Sequence, residues 1–239
     1  SSAASDVYKR QTLSYGTPHD PWEKNNVPKI YYDMFKNKTL GPSKNYSNSL
    51  DPYGDNWSNE HKTKKKIAEW MRVYYAMTTN LDWNFGRLIS SIKDAGMIDN
   101  TIIIFTSDHG EMFGSHGRMK KNIFYEESIR VPFLIQWRDK LSSGLKLDTL
   151  LSTVDIMPTI LGLVNVEIPK EVEGTDLSLK LRGKTIDEPL FAFLMNTGAC
   201  AIWEDGHEWR AIRDKKYTYA VYRGSKDLPR KELFFNNIN

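Results

Sequence analysis

The sequence contains a single cysteine, Cys200, among its 239 residues, so no intrachain disulfide can support the fold. The neighbours of this cysteine, Ala199, Ala201 and Ile202, are apolar, which is typical of a packed thiol rather than a reactive one. The stability of the chain therefore has to come from a hydrophobic core.

Long apolar runs and a strong charge of one sign are also missing. No stretch reaches the roughly 18 apolar residues of a membrane-spanning helix. Lysine and arginine together number 33 against 30 for aspartate and glutamate, a net charge of +3. This is too small for the clustered basic face of a nucleic-acid-binding domain, and the one dense basic run, 62–66, is typical of a solvated helix end. We expect neither a transmembrane segment nor a nucleic-acid partner.

Several common catalytic motifs are absent as well. The sequence has no GxGxxG fingerprint, no Walker loop, no HExxH motif and no GxSxG nucleophile elbow. One cysteine and five scattered histidines cannot supply a zinc cluster. What is present is a globular composition, 40% hydrophobic and 26% charged, in a chain long enough for one large domain or a medium and a small one.

The apolar patterns predict an α/β fold followed by a small antiparallel sheet. An apolar stripe at helical spacing runs from Lys64 to Ile92, and Gly96 follows as a C-cap. The β-branched run 101–106 predicts a strand buried on both faces, as in a parallel sheet. Further short elements are expected after it, helices over 155–163 and 176–181 and strands over 131–137, 190–195, 200–203, 209–213 and 217–222.

Composition divides the chain into three parts. Residues 1–11 show no periodicity and look like a non-native tail, so they are excluded from the fold. Residues 12–186 are the predicted α/β part, and residues 187–239 are the predicted antiparallel subdomain. Within the α/β part, residues 36–62 are rich in Asn, Ser, Gly, Pro and Lys and predict a long surface loop.

Polar residues with chemical capability follow the predicted strand 101–106. Asp108 and His109 come directly after it, and ligands in open α/β sheets bind beyond the carboxyl ends of strands. A carboxylate is costly to desolvate unless it is paired or bound to a metal. We therefore expect a functional site here, with a loop containing one buried salt bridge as the alternative.

Two further groups suit an anionic substrate. Lys120 and Lys121 follow closely, and a cationic lysine near a metal-binding carboxylate can hold sulfate or phosphate; the alternative is a pair of solvated lysines. His19 lies in a loop made rigid by two prolines, where it could give a proton to a leaving oxygen. The alternative for His19 is a loop histidine that is hydrogen-bonded to the backbone.

Several motifs occur in a fixed order: Pro18-His19-Asp20-Pro21, Thr106-Ser107-Asp108-His109-Gly110-Glu111, Gly114-Ser115-His116-Gly117, Lys121, Tyr125-Glu126-Glu127-Ser128 and Arg130-Val131-Pro132. Together they closely resemble the C-terminal signature of the sulfatase family, which belongs to the alkaline phosphatase superfamily. Later matches extend the resemblance from about residue 12 to the end. It implies an α/β fold with a partial alkaline-phosphatase-like central sheet flanked by helices, plus a small C-terminal antiparallel sheet.

The resemblance also implies roles for individual residues in a sulfuric ester hydrolase that acts on a sulfate ester, such as one on a carbohydrate. Asp108 would be a ligand of calcium, favoured over magnesium, and His109 would be a second ligand at a position where many members have Asn. Lys121, or Lys120 if the loop shifts by one residue, would hold the sulfate oxygens. His19 would contact the sulfate and assist the leaving alcohol.

The family nucleophile is a formylglycine made from Cys or Ser in a Cys/Ser-x-Pro-x-Arg motif, and these residues contain neither that motif nor the Asp-Asp pair that completes the metal site. Cys200 is followed by Ala201, Ile202 and Trp203, which do not match this motif, so it cannot be the source of the formylglycine. The resemblance therefore implies a fragment that is inactive alone, from an enzyme expected in the periplasm or secreted. The alternatives are a phosphoesterase or phosphonate hydrolase of the same superfamily and a non-catalytic carbohydrate-binding remnant. Residues 36–62 and 203–209 are candidate substrate-contact segments.

Overall fold

The computed structural model describes residues 10–47, 63–196, 208–223 and 230–237. Its helices and strands are, in chain order, α1 Lys29–Phe35, α2 Lys64–Asp94, β1 Ile103–Thr106, α3 Glu126–Ile129, β2 Phe133–Gln136, α4 Thr153–Leu163, α5 Ser178–Leu181, β3 Ala192–Asn196, β4 Trp209–Arg213, β5 Tyr217–Tyr222 and β6 Lys231–Asn236. Most of the predicted tail, part of the predicted loop 36–62 and the predicted strand 200–203 lie outside the described residues.

The described residues fall into two compact units. The first comprises Ser1–Gly41 with Thr63–Ile92, and the second comprises Pro42–Lys62 with Lys93–Asn239. The predicted boundary between residues 186 and 187 does not coincide with this division and stays a prediction. The C-terminal strands and the predicted metal residues belong to the same compact unit.

Most of α2 belongs to the first unit, and the helix matches its predicted extent. Gly96, with φ +69°, ends the turn after it, and its N–H donates to the Lys93 carbonyl at 2.9 Å, as in a glycine C-cap. Ile67 and Met77 lie on its buried face. None of the described helices combines the length and apolarity needed to cross a bilayer.

Helix α1 has no counterpart in the predicted elements. Its Phe35 stacks on Tyr75 of α2, with ring centroids 5.7 Å apart, and the Phe35 carbonyl accepts a hydrogen bond from Arg72 Nε at 3.0 Å. Seven residues are too few for helical periodicity to stand out, and isolated helices this short are unstable in water. Its conformation therefore depends on tertiary contacts with α2.

Strand β1 differs from its prediction in pairing and in burial. It pairs with β2 in the antiparallel direction, with Ile104 opposite Ile135. Its first three residues are only half-buried, and Leu134 of β2 is 63% exposed. The predictions of parallel pairing and of burial on both faces are therefore wrong for the described part of the chain, in which β1 has one hydrogen-bonded neighbour and β2 keeps a solvent-accessible face.

The last four strands form one antiparallel sheet in the order β3-β4-β5-β6. Leu194, Ala211, Ala220 and Leu233 lie opposite one another across it. The predicted antiparallel sheet is confirmed, and the predicted strands 209–213 and 217–222 match β4 and β5 in full.

The other face of this sheet is also apolar. Phe193, Ile212, Tyr219 and Phe234 form a row in register across the four strands, and Phe193 and Phe234 are 69% and 68% exposed. Because both faces carry apolar side chains, alternation in the sequence could not indicate which face meets the core.

The inner face of the sheet packs against the segment that follows the predicted metal residues. One buried cluster contains residues of both: Met112, Ile123, Phe124, Tyr125, Trp209, Ala211, Ala220 and Tyr222. Phe124 meets Trp209 edge-on, with ring centroids 5.5 Å apart at 87°, a favourable aromatic geometry. The C-terminal sheet and this segment therefore share one hydrophobic core.

An ion pair also joins the sheet to α3. Arg213 of β4 binds both carboxylate oxygens of Glu126, with Nε to Oε1 at 2.6 Å and Nη2 to Oε2 at 3.0 Å. The two side chains are 15% and 18% exposed, so water screens the pair weakly. Bidentate pairs of this kind are strong and directional.

Replacing Arg213 by alanine is expected to lower the free energy of unfolding by about 3 kcal/mol, because Glu126 would stay largely buried without its main partner. Urea unfolding of the purified chain measures the loss. The matched control is Arg230→Ala, whose partner Glu232 is 52% exposed; that change should cost no more than about 0.5 kcal/mol. Equal losses in both variants would contradict the assignment.

Candidate functional site

The turn after β1 brings Asp108 and His109 together. The His109 backbone N–H donates to Asp108 Oδ1 at 2.9 Å, and the Ser107 hydroxyl donates to the His109 carbonyl at 2.9 Å. His109 Nδ1 lies 2.8 Å from the Gly110 carbonyl, which can only accept, so Nδ1 carries the proton. The other ring nitrogen, Nε2, lies 3.5 Å from Asp108 Oδ2.

Asp108 is anionic at neutral pH. Partial burial acts to raise its pKa, but the charge of His109 and hydrogen bonds from the backbone and the Ser107 hydroxyl outweigh it and hold the pKa below the usual value for aspartate. The side chain is 84% exposed. A cation can therefore reach this carboxylate.

These two residues fit a metal site that is incomplete within the described residues. Over 10–47, 63–196, 208–223 and 230–237, no group of three or more His, Cys, Asp or Glu residues could hold a metal ion. The Asp108 carboxylate suits calcium or magnesium, and the hydrogen bond from His109 Nδ1 to a carbonyl is the usual support of a metal-binding histidine. Asp108 and His109 therefore fit as two ligands of a larger set.

Gly110 brings this turn against α3. Its N–H donates to the Ser128 carbonyl at 2.8 Å. A Cβ atom at this position would lie 2.0 Å from the Glu127 carbonyl oxygen, closer than any side chain can approach. Glycine is required here by the close backbone contact.

Gly110→Ala is therefore expected to destabilise the chain by about 2 kcal/mol, because the turn and α3 must move apart. Gly86→Ala is the control, since Gly86 lies inside α2 and a Cβ atom added to it would have no neighbouring atom within 4 Å. Alanine there should stabilise the chain by up to about 1 kcal/mol. The urea midpoints of the two variants should move in opposite directions, and a Gly110→Ala chain as stable as the parent would refute the steric argument.

The loop 110–122 folds on itself through backbone hydrogen bonds. The Met112 N–H donates to the Lys120 carbonyl at 2.7 Å. The Glu111 carboxylate accepts from the backbone N–H of Lys120 at 2.5 Å and of Phe113 at 3.3 Å. Glu111 therefore stabilises the loop backbone, a role that its place in the motif did not reveal.

Lys121 lies between two residues with left-handed backbone conformations. The φ angles are +65° at Lys120 and +66° at Asn122. Asparagine adopts this region more readily than most residues, whereas for lysine it costs about 1 to 2 kcal/mol. Such a conformation persists where surrounding contacts impose it.

Trp209 is buried, which contradicts its inclusion among the predicted substrate-contact residues 203–209. Its side chain is 5% exposed, and its indole N–H donates to the Asn122 carbonyl at 3.0 Å. The ring is part of the core, so it cannot form a surface platform for a ligand. Trp203 lies outside the described residues.

The described end of the predicted loop 36–62 is attached to the loop 110–122. Asn45 Nδ2 donates to Glu127 Oε1 at 2.6 Å and to His116 Nε2 at 3.0 Å, and the Asn45 carbonyl accepts from the His116 N–H at 3.0 Å. Burial lowers the pKa of His116, against the opposing effect of the Glu127 carboxylate, so the ring is neutral at pH 7. It stacks on Tyr125 with centroids 3.9 Å apart.

An open cleft of about 570 Å³ lies beside this attachment. Its described lining comprises His116, Tyr125, Glu126 and Glu127 together with β6 and Asn237. Asp108, His109 and Lys121 are not part of that lining, so the cleft is distinct from the predicted metal residues.

His19 belongs to the first unit, whereas Asp108, His109 and Lys121 belong to the second. Its Nδ1 lies 2.9 Å from both the carbonyl and the Oδ1 of Asp20, so Nδ1 is the donor in this contact. The Trp22 indole donates to the Pro18 carbonyl at 2.9 Å, and Trp22 packs on Trp70 of α2 with centroids 5.8 Å apart. The His19 loop is therefore anchored to a helix.

A comparison with known protein families shows that residues 11–166 match the family model named Sulfatase. These residues make up more than half of the chain. The chain belongs to the sulfatase family. A second model, named N-sulphoglucosamine sulphohydrolase, C-terminal, matches residues 114–231. The predicted membership is confirmed, and the two matches together include His19, Asp108, His109 and Lys121.

Two curated sulfatases are similar along nearly all of this sulfatase chain. The Ulvan-active sulfatase of Formosa agariphila is 34% identical over 230 residues, which cover 95% of the chain. The Arylsulfatase of Clostridium perfringens is 30% identical over 234 residues, which cover 90% of the chain. The chain spans 41% and 45% of the lengths of these two relatives.

Solved structures share the fold of this sulfatase chain. A protein in complex with its substrate D-glucosamine-2-N,6-O-disulfate has a TM-score of 0.78 at 21% identity, over 92% of this chain and 57% of its own. The phosphonate monoester hydrolase of Silicibacter pomeroyi has a TM-score of 0.76 at 24% identity, over 92% of this chain and 48% of its own. These likenesses concern the fold alone, and they confirm the predicted fold class.

Asn45 and Trp209 lie in the predicted substrate-contact segments, but their actual hydrogen-bond partners could not be predicted from the sequence. Asn45 lies 71 positions before His116 in the chain, and Trp209 lies 87 positions after Asn122. No local pattern links residues at such separations. Only the polar, loop-forming composition around Asn45 and the aromatic character of Trp209 are visible in the sequence, and neither identifies a partner.

Proposed function

We propose that the protein to which this chain belongs hydrolyses sulfate esters. The observation that carries the proposal is the turn after β1, where the Asp108 carboxylate and His109 Nε2 lie 3.5 Å apart in a chain of the sulfatase family. An anionic, accessible carboxylate beside an imidazole nitrogen can bind a divalent cation once that nitrogen is unprotonated. Such a cation would face an anionic substrate.

Asp108 and His109 would hold calcium, with magnesium less favoured because it demands near-ideal octahedral geometry and gives up its waters reluctantly. When bound there, the ion would neutralise charge on the sulfate group and support the nucleophile. The remaining ligands would come from residues outside the described ones, since the described residues offer no larger cluster.

Lys121 would hold the sulfate oxygens by its positive charge, with Lys120 as the alternative. His19 would contact the sulfate group and give a proton to the leaving alcohol. Because Nδ1 donates to Asp20, Nε2 of the doubly protonated ring would be the nitrogen that gives up the proton.

The nucleophile would be a formylglycine from a Cys/Ser-x-Pro-x-Arg segment that is not among these 239 residues. For that reason the chain purified by itself should not turn over an aryl sulfate. Measurable turnover by the chain alone would refute this division of the active site.

A sulfated glycan is the proposed substrate class. The similarity to a relative named an Ulvan-active sulfatase supports it, as does the likeness of fold to a protein solved with a disulfated glucosamine. The rival is a phosphoesterase or phosphonate hydrolase, favoured by the likeness of fold to a phosphonate monoester hydrolase.

The deciding experiment is to read the encoding locus upstream of Thr12, express the whole reading frame, and assay an aryl sulfate and an aryl phosphonate side by side. We expect a Cys/Ser-x-Pro-x-Arg motif with an Asp-Asp pair before it, and a higher kcat/KM for the sulfate that falls on chelation of calcium. A higher kcat/KM for the phosphonate would favour the rival. A frame without a nucleophile motif and without turnover would leave a glycan-binding remnant.

A further inference from the structure

Lys121 is clamped on both sides by hydrogen bonds from different parts of the fold. On its N-terminal side, the Lys120 N–H donates to Glu111 Oε1 at 2.5 Å, and the Lys120 carbonyl accepts from the Met112 N–H at 2.7 Å. On its C-terminal side, the Asn122 carbonyl accepts from Trp209 Nε1 at 3.0 Å. The backbone on either side of Lys121 is therefore fixed.

These hydrogen bonds matter because the backbone on either side of Lys121 has an unusual conformation. Lys120 and Asn122 have φ angles of +65° and +66°, which most residues adopt only when neighbouring contacts impose them. If either residue returned to an ordinary negative φ, the chain direction through Lys121 would change. The direction in which the Lys121 side chain leaves the backbone thus depends on the Glu111 and Trp209 hydrogen bonds.

Trp209 is well placed to act as a rigid anchor. It lies on β4 between Asn196 of β3 and Tyr222 of β5, and its side chain is 5% exposed. Phe124, fully buried, packs edge-on against it at 5.5 Å. An indole has a single N–H donor, and here that donor is used on the Asn122 carbonyl.

We propose that Trp209 and Glu111 are positioning residues for Lys121, so that the C-terminal sheet sets the affinity of the site for the sulfate group. The proposal rests on the proposed function in one respect, the contact between Lys121 and sulfate. Trp209 touches neither substrate nor metal in this scheme and acts only through the Asn122 carbonyl.

The central test compares Trp209→Phe with Leu233→Ala in the protein expressed from the whole reading frame. Phenylalanine keeps an aromatic ring in the core but removes the N–H donor. Leu233 packs against the same core and lacks a side-chain donor for the loop 110–122, so its replacement reproduces a loss of packing. Trp209→Phe should raise KM for an aryl sulfate, and Ki for inorganic sulfate, by about five- to tenfold, the loss expected for one hydrogen bond.

Leu233→Ala should leave both constants within about twofold, even if it lowers the melting temperature as much as Trp209→Phe does. Equal changes of Ki in the two variants would show that the effect is general destabilisation and would overturn the proposal. At Glu111, alanine should raise Ki for sulfate, whereas glutamine, which keeps an oxygen acceptor, should recover most of the loss. A glutamine variant as weak as the alanine variant would count against the Glu111 clamp.

A second measurement does not depend on catalysis. Amide hydrogen exchange over 120–123 in the purified chain should be at least about fivefold faster in Trp209→Phe and Glu111→Ala than in Leu233→Ala. The first two variants each lack a hydrogen bond that must otherwise break before this segment can open. Unchanged exchange would overturn the proposal whatever the activity. If the clamps loosen but the whole-frame protein hydrolyses no sulfate ester, the proposed function fails and the positioning of Lys121 stands.

Discussion

Lys121→Ala is expected to lower kcat/KM for an aryl sulfate by about 100- to 1,000-fold, the usual cost of removing one group that stabilises a charged transition state. The lysine would oppose charge that builds up on the sulfate oxygens as the ester bond breaks. Its backbone is held by fixed neighbours at Lys120 and Asn122, so a substitute side chain nearby could not easily replace it.

The matched control for this prediction is Lys120→Ala. Lys120 supports the loop through its backbone N–H and carbonyl, and alanine keeps both groups. We expect Lys120→Ala to lose less than about tenfold in kcat/KM, and steady-state kinetics with inorganic sulfate as a competitive inhibitor measures both variants. The reverse order of effects would assign the sulfate contact to Lys120.

Asp108→Asn is expected to weaken calcium binding by more than about 100-fold. Loss of a residue that only supports a metal ligand already costs roughly 10- to 100-fold in metal affinity, and this change removes the charge of a ligand itself. At a calcium concentration about 100 times the dissociation constant, binding stabilises the folded protein by about 2.7 kcal/mol. The variant should lose most of that stabilisation.

Thermal unfolding of the whole-frame protein with calcium and with a chelator measures the effect. Asp99→Asn is the control, because Asp99 is 68% exposed and pairs with Arg138 at 3.2 Å, so its charge serves a surface contact. The control should keep the full calcium response. If Asp108→Asn keeps the response as well, Asp108 is not a ligand, and the turn after β1 has another role.

Elements defined by local patterns were predicted well. The stripe of α2 and its glycine C-cap lie within one continuous segment, and the strands β4 and β5 are bounded by turn residues on both sides. Helix α4 begins with a capping box in which Asp155 accepts from the Ser152 N–H at 2.7 Å, which agrees with the prediction of Asp155 near a helix start. In each case the signal in the sequence lies within one continuous segment.

Elements that depend on distant partners were predicted less well. The run 101–106 is apolar throughout most of its length, and apolarity does not specify whether a strand finds a parallel or an antiparallel neighbour. Helix α1 lacks a recognisable stripe and is held by Phe35 against Tyr75. Glu111 had the residue type of a metal ligand, but its carboxylate binds backbone N–H groups.

The amino-acid sequence was sufficient for the family, the fold class and the residue types at the candidate site, because motifs such as Asp108-His109-Gly110-Glu111 are contiguous and their order along the chain is readable. Tertiary structure was needed for the contacts that hold those residues. The attachment of Asn45 to His116 and Glu127, and the hydrogen bond from Trp209 to Asn122, join segments more than 70 positions apart. Such contacts form only when the chain has folded, because their geometry is set by shared packing and not by neighbouring residues.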